Sequence, residues 1–235
     1  MISIITSLYK SERHLPTFLK KVAKVSRELS AQDFQHEFLI LPNDASPEET
    51  QMLNAAAEKV PAIRIINRKR EFLYATWNAG VQNAKFETVT FWNVDDIRFA
   101  DGFVNGYDTI NAGNGIAYFP FIYKRYIHVL GVKILAKRKI LRPSEFDAAK
   151  FRREFHIGPF FMTTKSTIDK VGGFDPSFTV AGDFEWQVRA AKGGAQFQLC
   201  NTIAGVFTND GKTLSGAQST RHHDENQRVL EFGAK

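Results

Sequence analysis

The amino-acid sequence predicts an α/β fold with a mostly parallel central sheet flanked by helices, and two observations carry this prediction. Short β-forming segments alternate with segments of helical periodicity through residue 100, which is the order of a right-handed parallel α/β unit. The 235 residues are 43% hydrophobic and contain no Pro/Gly/Ser-rich linker or block of charge, so they suffice for one substantial core. We therefore expect a single domain over residues 1–235.

Four near-continuous apolar segments in the first half predict strands that helices cover on both faces. They are residues 2–6, 37–42, 63–66 and 87–92. Three connecting segments lie between these predicted strands. The first and the third carry apolar residues at helical spacing, namely Leu15, Leu19, Val22 and Val25, and then Leu73, Trp77 and Val81. The second opens with Ser46, Pro47 and two acids, a combination typical of a helix N-terminus.

The second half of the sequence is more mixed. Segments 115–123, 158–163 and 195–207 predict further strands, and short helices are expected near 164–171 and 184–192. No repeat or low-complexity segment interrupts these elements.

Composition and charge exclude several classes of protein. The single cysteine, Cys200, has no partner for a disulfide or a thiolate zinc site, so a reducing compartment, the cytoplasm, is expected. No apolar run approaches the roughly 18 residues that a membrane span needs, and the N-terminus lacks the cationic start and long apolar stretch of a signal peptide. A net charge of +6 favours an anionic partner, which charge alone does not identify.

Polar residues lie at the ends of the four first-half strands, in segments 6–9, 43–46, 67–70 and 93–96. In an open parallel sheet, ligands bind beyond the carboxyl ends of the strands, so these segments predict a binding site. For any one of them, the alternative is that Asn, Asp and Ser simply end a strand or cap a helix. Their occurrence at all four ends favours the site.

The sequence lacks the usual devices for cradling phosphate. Neither G-x-G-x-x-G after the first strand nor G-x-x-x-x-G-K-[ST] occurs. Positive charge must then come from another source, and Asp95 and Asp96 offer the hard oxygen ligands that Mg²⁺ and Mn²⁺ prefer. We predict that these acids hold a divalent cation that bridges to a diphosphate.

Five segments resemble, in order, the motifs of the family 2 glycosyltransferases of the GT-A fold. They are "ITSLYKSERHL", "LPNDASPEET", "NRKREFLYATWNAGVQNA", "FWNVDD" and "VGGFDPSFTVAGDFEWQVRAAKGG", and they run from residue 2 to about residue 194. The resemblance implies a Rossmann-like GT-A domain in which residues 1–100 bind the nucleotide. Residues 101–235 would then bind the acceptor and include a C-terminal segment.

The same resemblance implies an activity. It suggests an inverting hexosyltransferase that moves a sugar from a nucleoside diphosphate donor, most often a UDP-sugar, to a hydroxyl acceptor. The implied acceptor is a saccharide or a lipid-linked saccharide, in surface polysaccharide or glycolipid synthesis. The implied cofactor is Mn²⁺ or Mg²⁺.

Roles for individual residues follow from the resemblance. Nucleotide contacts are expected at Thr6, Ser7, Tyr9, Asp44, Asn67, Asn78, Asn93 and Asp95, with Asp44 on the nucleobase. Metal ligands are expected at Asp95, Asp96 and either His222 or His223, and diphosphate contacts at Lys212, Ser215 and Arg221. For the C-terminal residues, the alternative is a solvated loop or a helix start.

Asp183 is the predicted general base, because the resemblance places it where an acceptor hydroxyl would lose its proton. The alternative is that Asp183 caps the helix that follows it. Glu185 is the nearby competitor, although on a helix it projects about 200° around from Asp183.

Two departures from the family pattern keep other functions open. Asn93 stands where the family commonly has its first acid, and Gly182 stands where a Glu is common. A nucleotide-sugar-binding protein without turnover is therefore an alternative. A nucleotidyltransferase is a further one, but it would be expected to carry a glycine-rich basic loop after the first strand, and residues 6–14 contain no glycine.

Residues 123–143 contain seven Lys or Arg and no acid, interleaved with Tyr, Ile, Leu and Val. The simplest interpretation is a basic exposed face with some core residues. The alternative is peripheral contact with anionic lipid at the inner face of the plasma membrane, which would suit a lipid-linked acceptor. No nucleic-acid-binding motif accompanies the charge, so nucleic acid is not an expected partner.

Overall fold

A computed structural model describes residues 1–130, 132–151, 157–210 and 219–234 of the chain. Its main sheet contains β1 (Ile2–Leu8), β2 (His36–Pro42), β3 (Ile63–Ile65), β4 (Thr88–Phe91), β6 (Ile116–Tyr118), β9 (Phe161–Thr164) and β10 (Phe197–Leu199). The strand order is β10-β6-β9-β4-β1-β2-β3. β9 runs antiparallel to β4 and β6, and the other neighbouring pairs are parallel. The sheet is therefore mostly parallel, as predicted.

The helices of the described residues flank this sheet. They are α1 (Leu15–Ser30), α2 (Pro47–Lys59), α3 (Leu73–Asn83), α4 (Ala100–Asn111), α5 (Ala148–Phe151), α6 (Lys165–Val171), α7 (Gly182–Lys192) and α8 (Ser219–Ala234). The helices predicted near 164–171 and 184–192 are thus confirmed as α6 and α7. No helix in this part of the chain is both long enough and apolar enough to cross a membrane.

The core lies on both faces of the main sheet, which explains why its strands are almost continuously apolar. Ile4 of β1 belongs to the cluster that contains Phe18 of α1, and Ile5 belongs to the cluster that contains Trp77 of α3. On the second face, Trp77 stacks on Phe91 of β4 with ring centroids 4.1 Å apart. Successive strand residues therefore bury their side chains on opposite faces.

The start of α2 at Ser46, predicted from the sequence, is confirmed. Ser46 Oγ accepts a hydrogen bond from Glu49 N, and Ser46 N donates to Glu49 Oε2, both at 3.1 Å, which is a capping box. Glu49 Oε1 also accepts from Ser11 N at 2.6 Å. The cap therefore fastens the loop that follows β1.

A second sheet contains β5 (Ile97–Arg98), β7 (Phe121–Val129), β8 (Val132–Leu141) and β11 (Gly205–Asn209), in the order β5-β11-β7-β8. The predicted strand over 115–123 is divided between β6 and β7, because Pro120 has no N–H to donate to a sheet. Similarly, the segment 195–207 contains both β10 and the start of β11.

The basic segment 123–143, predicted as a basic exposed face with some core residues, is mostly an antiparallel hairpin of β7 and β8. The Tyr, Ile and Val residues of this segment favour such strands. The pairing shifts between Arg125 and Tyr126, where Ala136 of β8 is bulged out of the register.

Candidate functional site

A cleft of about 1060 Å³ lies at the carboxyl ends of β1 and β4, where the sequence predicted a binding site. One wall, here called the sheet wall, includes Ser7, Tyr9, Asn93 and Asp95. The second wall comes from the β7–β8 hairpin, the segment 179–184 and the end of β11. Concave sites of this size hold small molecules.

Tyr9 and Arg70 form a flat surface on the sheet wall. The guanidinium carbon of Arg70 lies 3.5 Å from the centroid of the Tyr9 ring, which is a cation–π contact. Phe72 lines the cleft beside them and is 59% exposed. Exposed aromatic and guanidinium planes of this kind can stack on a planar base.

Asn43 holds the strand-end loops of the sheet wall together. Its buried side chain donates to Leu8 O at 3.2 Å and to Leu41 O at 3.3 Å. Its Oδ1 accepts from Glu71 N at 3.2 Å and from Thr76 Oγ1 at 3.1 Å. The amide therefore joins the ends of β1 and β2 to the start of α3, and its role is structural.

Two of the predicted nucleotide residues, Thr6 and Asn78, make their contacts inside the protein and do not line the cleft. Thr6 is buried and donates its hydroxyl to Trp92 O at 2.9 Å. Asn78 donates to Phe174 O at 2.7 Å and accepts from Phe174 N at 2.8 Å. Asn78 thus fixes the turn before α7 against α3.

Asp44 and Asn67 are exposed and are also outside the lining of the cleft. Asp44 has a left-handed backbone with φ 48°, a conformation that Asp tolerates better than most residues, and its N donates to Arg68 O at 3.0 Å. The nucleotide contacts predicted for these two residues stay predictions.

The adjacent acids after β4 have different surroundings. Asp95 lines the cleft, whereas Asp96 is 1% exposed and its carboxylate accepts from Thr208 N of β11 at 3.1 Å. Burial raises the pKa of Asp95, and the negative charge of Asp210 adds to that rise. Burial and then the charge of Asp95 raise the pKa of Asp96 well above its usual range. The hydrogen bond of Asp96 ties the end of β4 to β11.

Asp210, at the end of β11, lines the cleft together with Asp95. Lys133 Nζ, from the β7–β8 hairpin, lies 3.1 Å from Asp210 Oδ2. Asp210 is not among the residues predicted from the sequence, although the same signal is present, because Asp210 directly follows the β-forming segment 205–209. Applying the strand-end rule to the second half would have found it.

The donor set of the cleft fits a hard divalent cation in chemical type. Asp95 and Asp210 supply carboxylates and Asn93 lies in the same lining, and these are oxygen donors of the kind that Mg²⁺ and Mn²⁺ take. Among the described residues, no group of three or more His, Cys, Asp and Glu is arranged to hold a metal ion.

Further metal or diphosphate contacts were predicted in the C-terminal segment. Of these residues, Lys212, Ser215 and the side chains of Arg221 and His222 lie outside the described part, and His223 is exposed.

Asp183 lies in the cleft on the first turn of α7, and Tyr74 of α3 holds it there. The Tyr74 hydroxyl lies 2.8 Å from Val180 O and 3.1 Å from Asp183 Oδ1, and it shares its proton between them. Burial, followed by the charge of Asp183, raises the pKa of Tyr74 well above its usual value, so the hydroxyl stays protonated and donates.

Asp183 is not the N-cap of α7, so the capping interpretation is wrong. The helix begins at Gly182 and its N-cap is Ala181, which makes no side-chain cap. The glycine at 182, a departure from the family pattern, has a packing reason. A Cβ at this position would lie 2.6 Å from the Tyr74 ring, so a larger residue would displace the tyrosine that holds Asp183.

Glu185, the competing acid, is engaged elsewhere. Its two oxygens accept from Arg189 Nε and Nη2, each at 2.8 Å. Arg189 in turn donates to Val171 O and Gly173 O, each at 2.8 Å. Glu185 does not line the cleft, and it stabilises the junction between α6 and α7.

Glu225 of α8 is a structural residue that sequence reasoning missed. Its carboxylate accepts from the backbone N–H groups of Thr179, Val180 and Ala181 at 3.0, 2.9 and 2.9 Å. These three residues line the cleft immediately before Asp183. No local pattern reveals a contact that joins positions 44 residues apart.

No protein-family model matches the sequence, and the search of curated proteins found no match to it. Its structure is similar to that of TarS from S. aureus solved with UDP-GlcNAc, with a TM-score of 0.71 and 14% identity over 99% of this chain and 66% of that one. It is also similar to the mannosyltransferase PcManGT from Pyrobaculum calidifontis solved with GDP-Man and Mn²⁺, with a TM-score of 0.67 and 12% identity over 97% and 64%.

The chain has a GT-A-like fold. This finding confirms the predicted fold class of a mostly parallel sheet flanked by helices. The chain spans 64% of the solved chain of TarS residues 1–349 and 36% of a longer solved chain of TarS. At such low identity the similarity shows the fold alone, and membership of family 2 stays a prediction.

Proposed function

We propose that the protein is an inverting glycosyltransferase that moves a sugar from a nucleoside diphosphate donor to a hydroxyl acceptor. The observation that carries this proposal is the position of Asp183, which Tyr74 holds in the same cleft as Ser7, Tyr9 and Asp95. Such a transfer needs a carboxylate on the acceptor side. It also needs a binding surface for the nucleotide on the donor side, which a flat, cationic surface at the strand ends can provide.

The sheet wall is the proposed donor side. The Tyr9–Arg70 surface suits a nucleobase, and Lys10 and Arg13 add positive charge to the same lining for a diphosphate. Structural neighbours were solved with UDP-GlcNAc and with GDP-Man, both nucleoside diphosphate sugars. A UDP-sugar is the proposed donor.

Asp95 and Asp210 would hold a divalent cation, Mn²⁺ or Mg²⁺, and PcManGT was solved with Mn²⁺. When bound, such an ion would neutralise charge on the departing diphosphate. The ammonium of Lys133 lies 3.1 Å from Asp210, and a bound cation would replace it as the positive partner of this carboxylate. Asp96 does not line the cleft, so we assign it the role of holding β4 against β11.

Asp183 is the proposed general base. The acceptor oxygen would attack the anomeric carbon while its proton passes to the Asp183 carboxylate, and the bond from that carbon to the diphosphate oxygen would break. A single displacement of this kind inverts the anomeric configuration. The acceptor is a hydroxyl of a saccharide or of a lipid-linked saccharide, in surface polysaccharide or glycolipid synthesis.

A panel of nucleotide-sugars, incubated with the protein and Mn²⁺, tests the proposal through the release of nucleoside diphosphate. We expect slow release from one donor in the panel, because water can replace the acceptor. Binding of a donor without release, in the presence of candidate acceptors, would favour the alternative of a nucleotide-sugar-binding protein. Binding of no donor would contradict both.

A further inference from the structure

The β7–β8 hairpin is exposed along most of its length. Every residue of β8 from Val132 to Ile140 is exposed, and β8 is the edge strand of the second sheet. Long exposed edge strands are usually shortened, covered or charged in soluble proteins, because they pair with other chains. The hairpin therefore calls for a physical explanation.

The outer end of the hairpin carries an apolar surface. Ile127 pairs with Ile134, and Val129 pairs with Val132, so each pair lies on one face of the ladder and the two pairs are two residues apart on it. Their exposed fractions range from 42% for Ile127 to 60% for Val132. Leu130, in the turn, is 99% exposed. These aliphatic side chains, here called the hairpin tip, form a contiguous exposed patch of the type that marks an interaction surface.

Positive charge surrounds the hairpin tip. Residues 123–143 contain seven Lys or Arg and no acid, and Arg125 pairs with Lys137 directly inward of the tip. The basic residues inward of the tip are here called the basic collar, and they are Lys124, Arg125, Lys137, Arg138 and Lys139. An apolar end with such a collar matches the layers of an anionic bilayer, in which phosphates lie outside the acyl chains.

Two other occupants fit less well. Pairing of β8 with β8 of a second copy would bring Lys and Arg residues of one chain against those of the other, and like charges on neighbouring strands destabilise a sheet. A nucleic acid or another soluble polyanion would use the basic collar but would leave Leu130 and the Ile and Val pairs in water.

We propose that the hairpin binds an anionic lipid surface, with the hairpin tip inserted among the acyl chains and the basic collar on the phosphates. His128, Lys133 and Leu141 of the same hairpin line the cleft. Binding would therefore bring the mouth of the cleft to the bilayer. If the proposed function holds, this is where a lipid-linked acceptor is found.

Vesicle flotation of the full chain provides the first test, with phosphatidylcholine vesicles and with vesicles of equal parts phosphatidylcholine and phosphatidylglycerol. We expect binding to the anionic vesicles only, and weaker binding at high salt. The double variant Leu130→Asn/Val132→Thr keeps turn and strand preferences and should lower partitioning by about tenfold or more. Lys137→Gln/Lys139→Gln should reduce the preference for anionic lipid, and the matched control Lys20→Gln/Lys59→Gln on α1 and α2 should not.

Site-specific fluorescence provides the second test, because the only cysteine, Cys200, is buried. An environment-sensitive dye on Leu130→Cys should shift to shorter wavelength with anionic vesicles, and the same dye on Lys20→Cys should not. Equal binding of the native protein and the hairpin-tip variant, or no dye shift at position 130, would overturn insertion. Binding to heparin but to neither vesicle would identify a soluble polyanion instead.

The outcomes separate this proposal from the proposed function. Vesicle binding without nucleoside diphosphate release from any donor would support the proposed lipid-binding hairpin and contradict the proposed glycosyltransferase activity. Release without vesicle binding would do the reverse. Leu130 and Val132 do not line the cleft, so the hairpin-tip variant should release nucleoside diphosphate at the native rate in solution.

Discussion

The two walls of the cleft are positioned by contacts of different range. On the sheet wall, Asn43 joins loops that follow successive strands, and its partners Leu8 and Glu71 are 35 and 28 residues away. On the second wall, Tyr74 reaches Asp183 across 109 residues and Asp96 reaches Thr208 across 112. The sheet wall is therefore built by one continuous α/β unit, whereas the second wall depends on a few individual contacts between distant segments.

This difference predicts that substitutions in the two walls can be separated experimentally. Changes in the sheet wall should alter donor binding and the stability of the whole sheet. Changes in the second wall, other than at the proposed metal ligand Asp210, should alter transfer or local order while donor binding stays intact. The following predictions test that separation, beginning with the largest expected effect.

Asp183→Asn should lower sugar transfer by roughly 10²- to 10⁴-fold, the range typical of a lost general base. Donor affinity, measured by titration of the nucleotide-sugar, should stay near native, because Asp183 acts on the acceptor. Asn is almost isosteric with Asp and can still accept from Tyr74, so the fold should be unaffected. The measurement is initial transfer rate at saturating donor.

The matched control is Asp175→Asn, which removes a carboxylate from the turn before α7. Asp175 accepts from Ser177 N at 2.8 Å and does not line the cleft, so transfer should change little. A native transfer rate in Asp183→Asn would remove Asp183 as the base. Loss of donor binding in the same variant would contradict the separation of the walls.

Asn43→Ala should destabilise the protein by about 2–3 kcal/mol, because it leaves partners such as the buried Leu41 O and the half-buried Glu71 N without these hydrogen bonds. The expected fall in Tm is about 5–10 °C for a chain of this size. Asn54→Ala on α2, where the side chain is exposed, serves as the control and should change Tm little. A fall of the same size in both variants would show that the amide network of Asn43 is unimportant.

Asp95→Asn should remove the dependence of nucleotide binding on a divalent cation. In the native protein, UDP should raise Tm more with Mn²⁺ than with EDTA, because a ligand that binds only the folded state stabilises it. In the presence of Mn²⁺, the variant should bind UDP roughly 10- to 100-fold more weakly than the native protein. Asp210→Asn should weaken UDP binding in the same way. Equal UDP shifts in Mn²⁺ and EDTA for the native protein would contradict the metal assignment.

The same difference in range explains what the sequence could reveal. The strands and helices through residue 100 were predictable, because apolar periodicity and the Ser46 N-cap are local signals. Ser7, Tyr9, Asn93 and Asp95 lie at the strand ends that the sequence singled out, and they line the cleft. The strand-end rule does not distinguish a residue that faces the cleft from one that faces inward, which is why Thr6 was grouped with Ser7.

The second wall was harder to predict for a physical reason. The orientation of Asp183 depends on Tyr74, and the burial of Asp96 depends on the position of β11. Such tertiary contacts leave no pattern within a short window of sequence. The β7–β8 hairpin was missed for another reason, because runs of Lys and Arg interrupt its β-forming residues and leave no period of two.

Glu225→Gln gives the smallest expected effect and tests the separation of the walls most sharply. The substitution keeps one acceptor oxygen and removes the charge that strengthens the three hydrogen bonds from Thr179, Val180 and Ala181. We expect a loss of about 1 kcal/mol in stability, measured by denaturant unfolding, and a modest fall in transfer as the segment before Asp183 loosens.

The decisive measurement in Glu225→Gln is the Tm shift given by UDP with Mn²⁺. It should match the native shift, because the backbone N–H groups that donate to Glu225 belong to the second wall. Glu231→Gln, an exposed residue of the same helix, controls for loss of charge on α8 and should leave transfer unchanged. A smaller UDP shift in Glu225→Gln would mean that the walls are coupled through α8, and the sheet wall could then no longer be treated as an independent donor site.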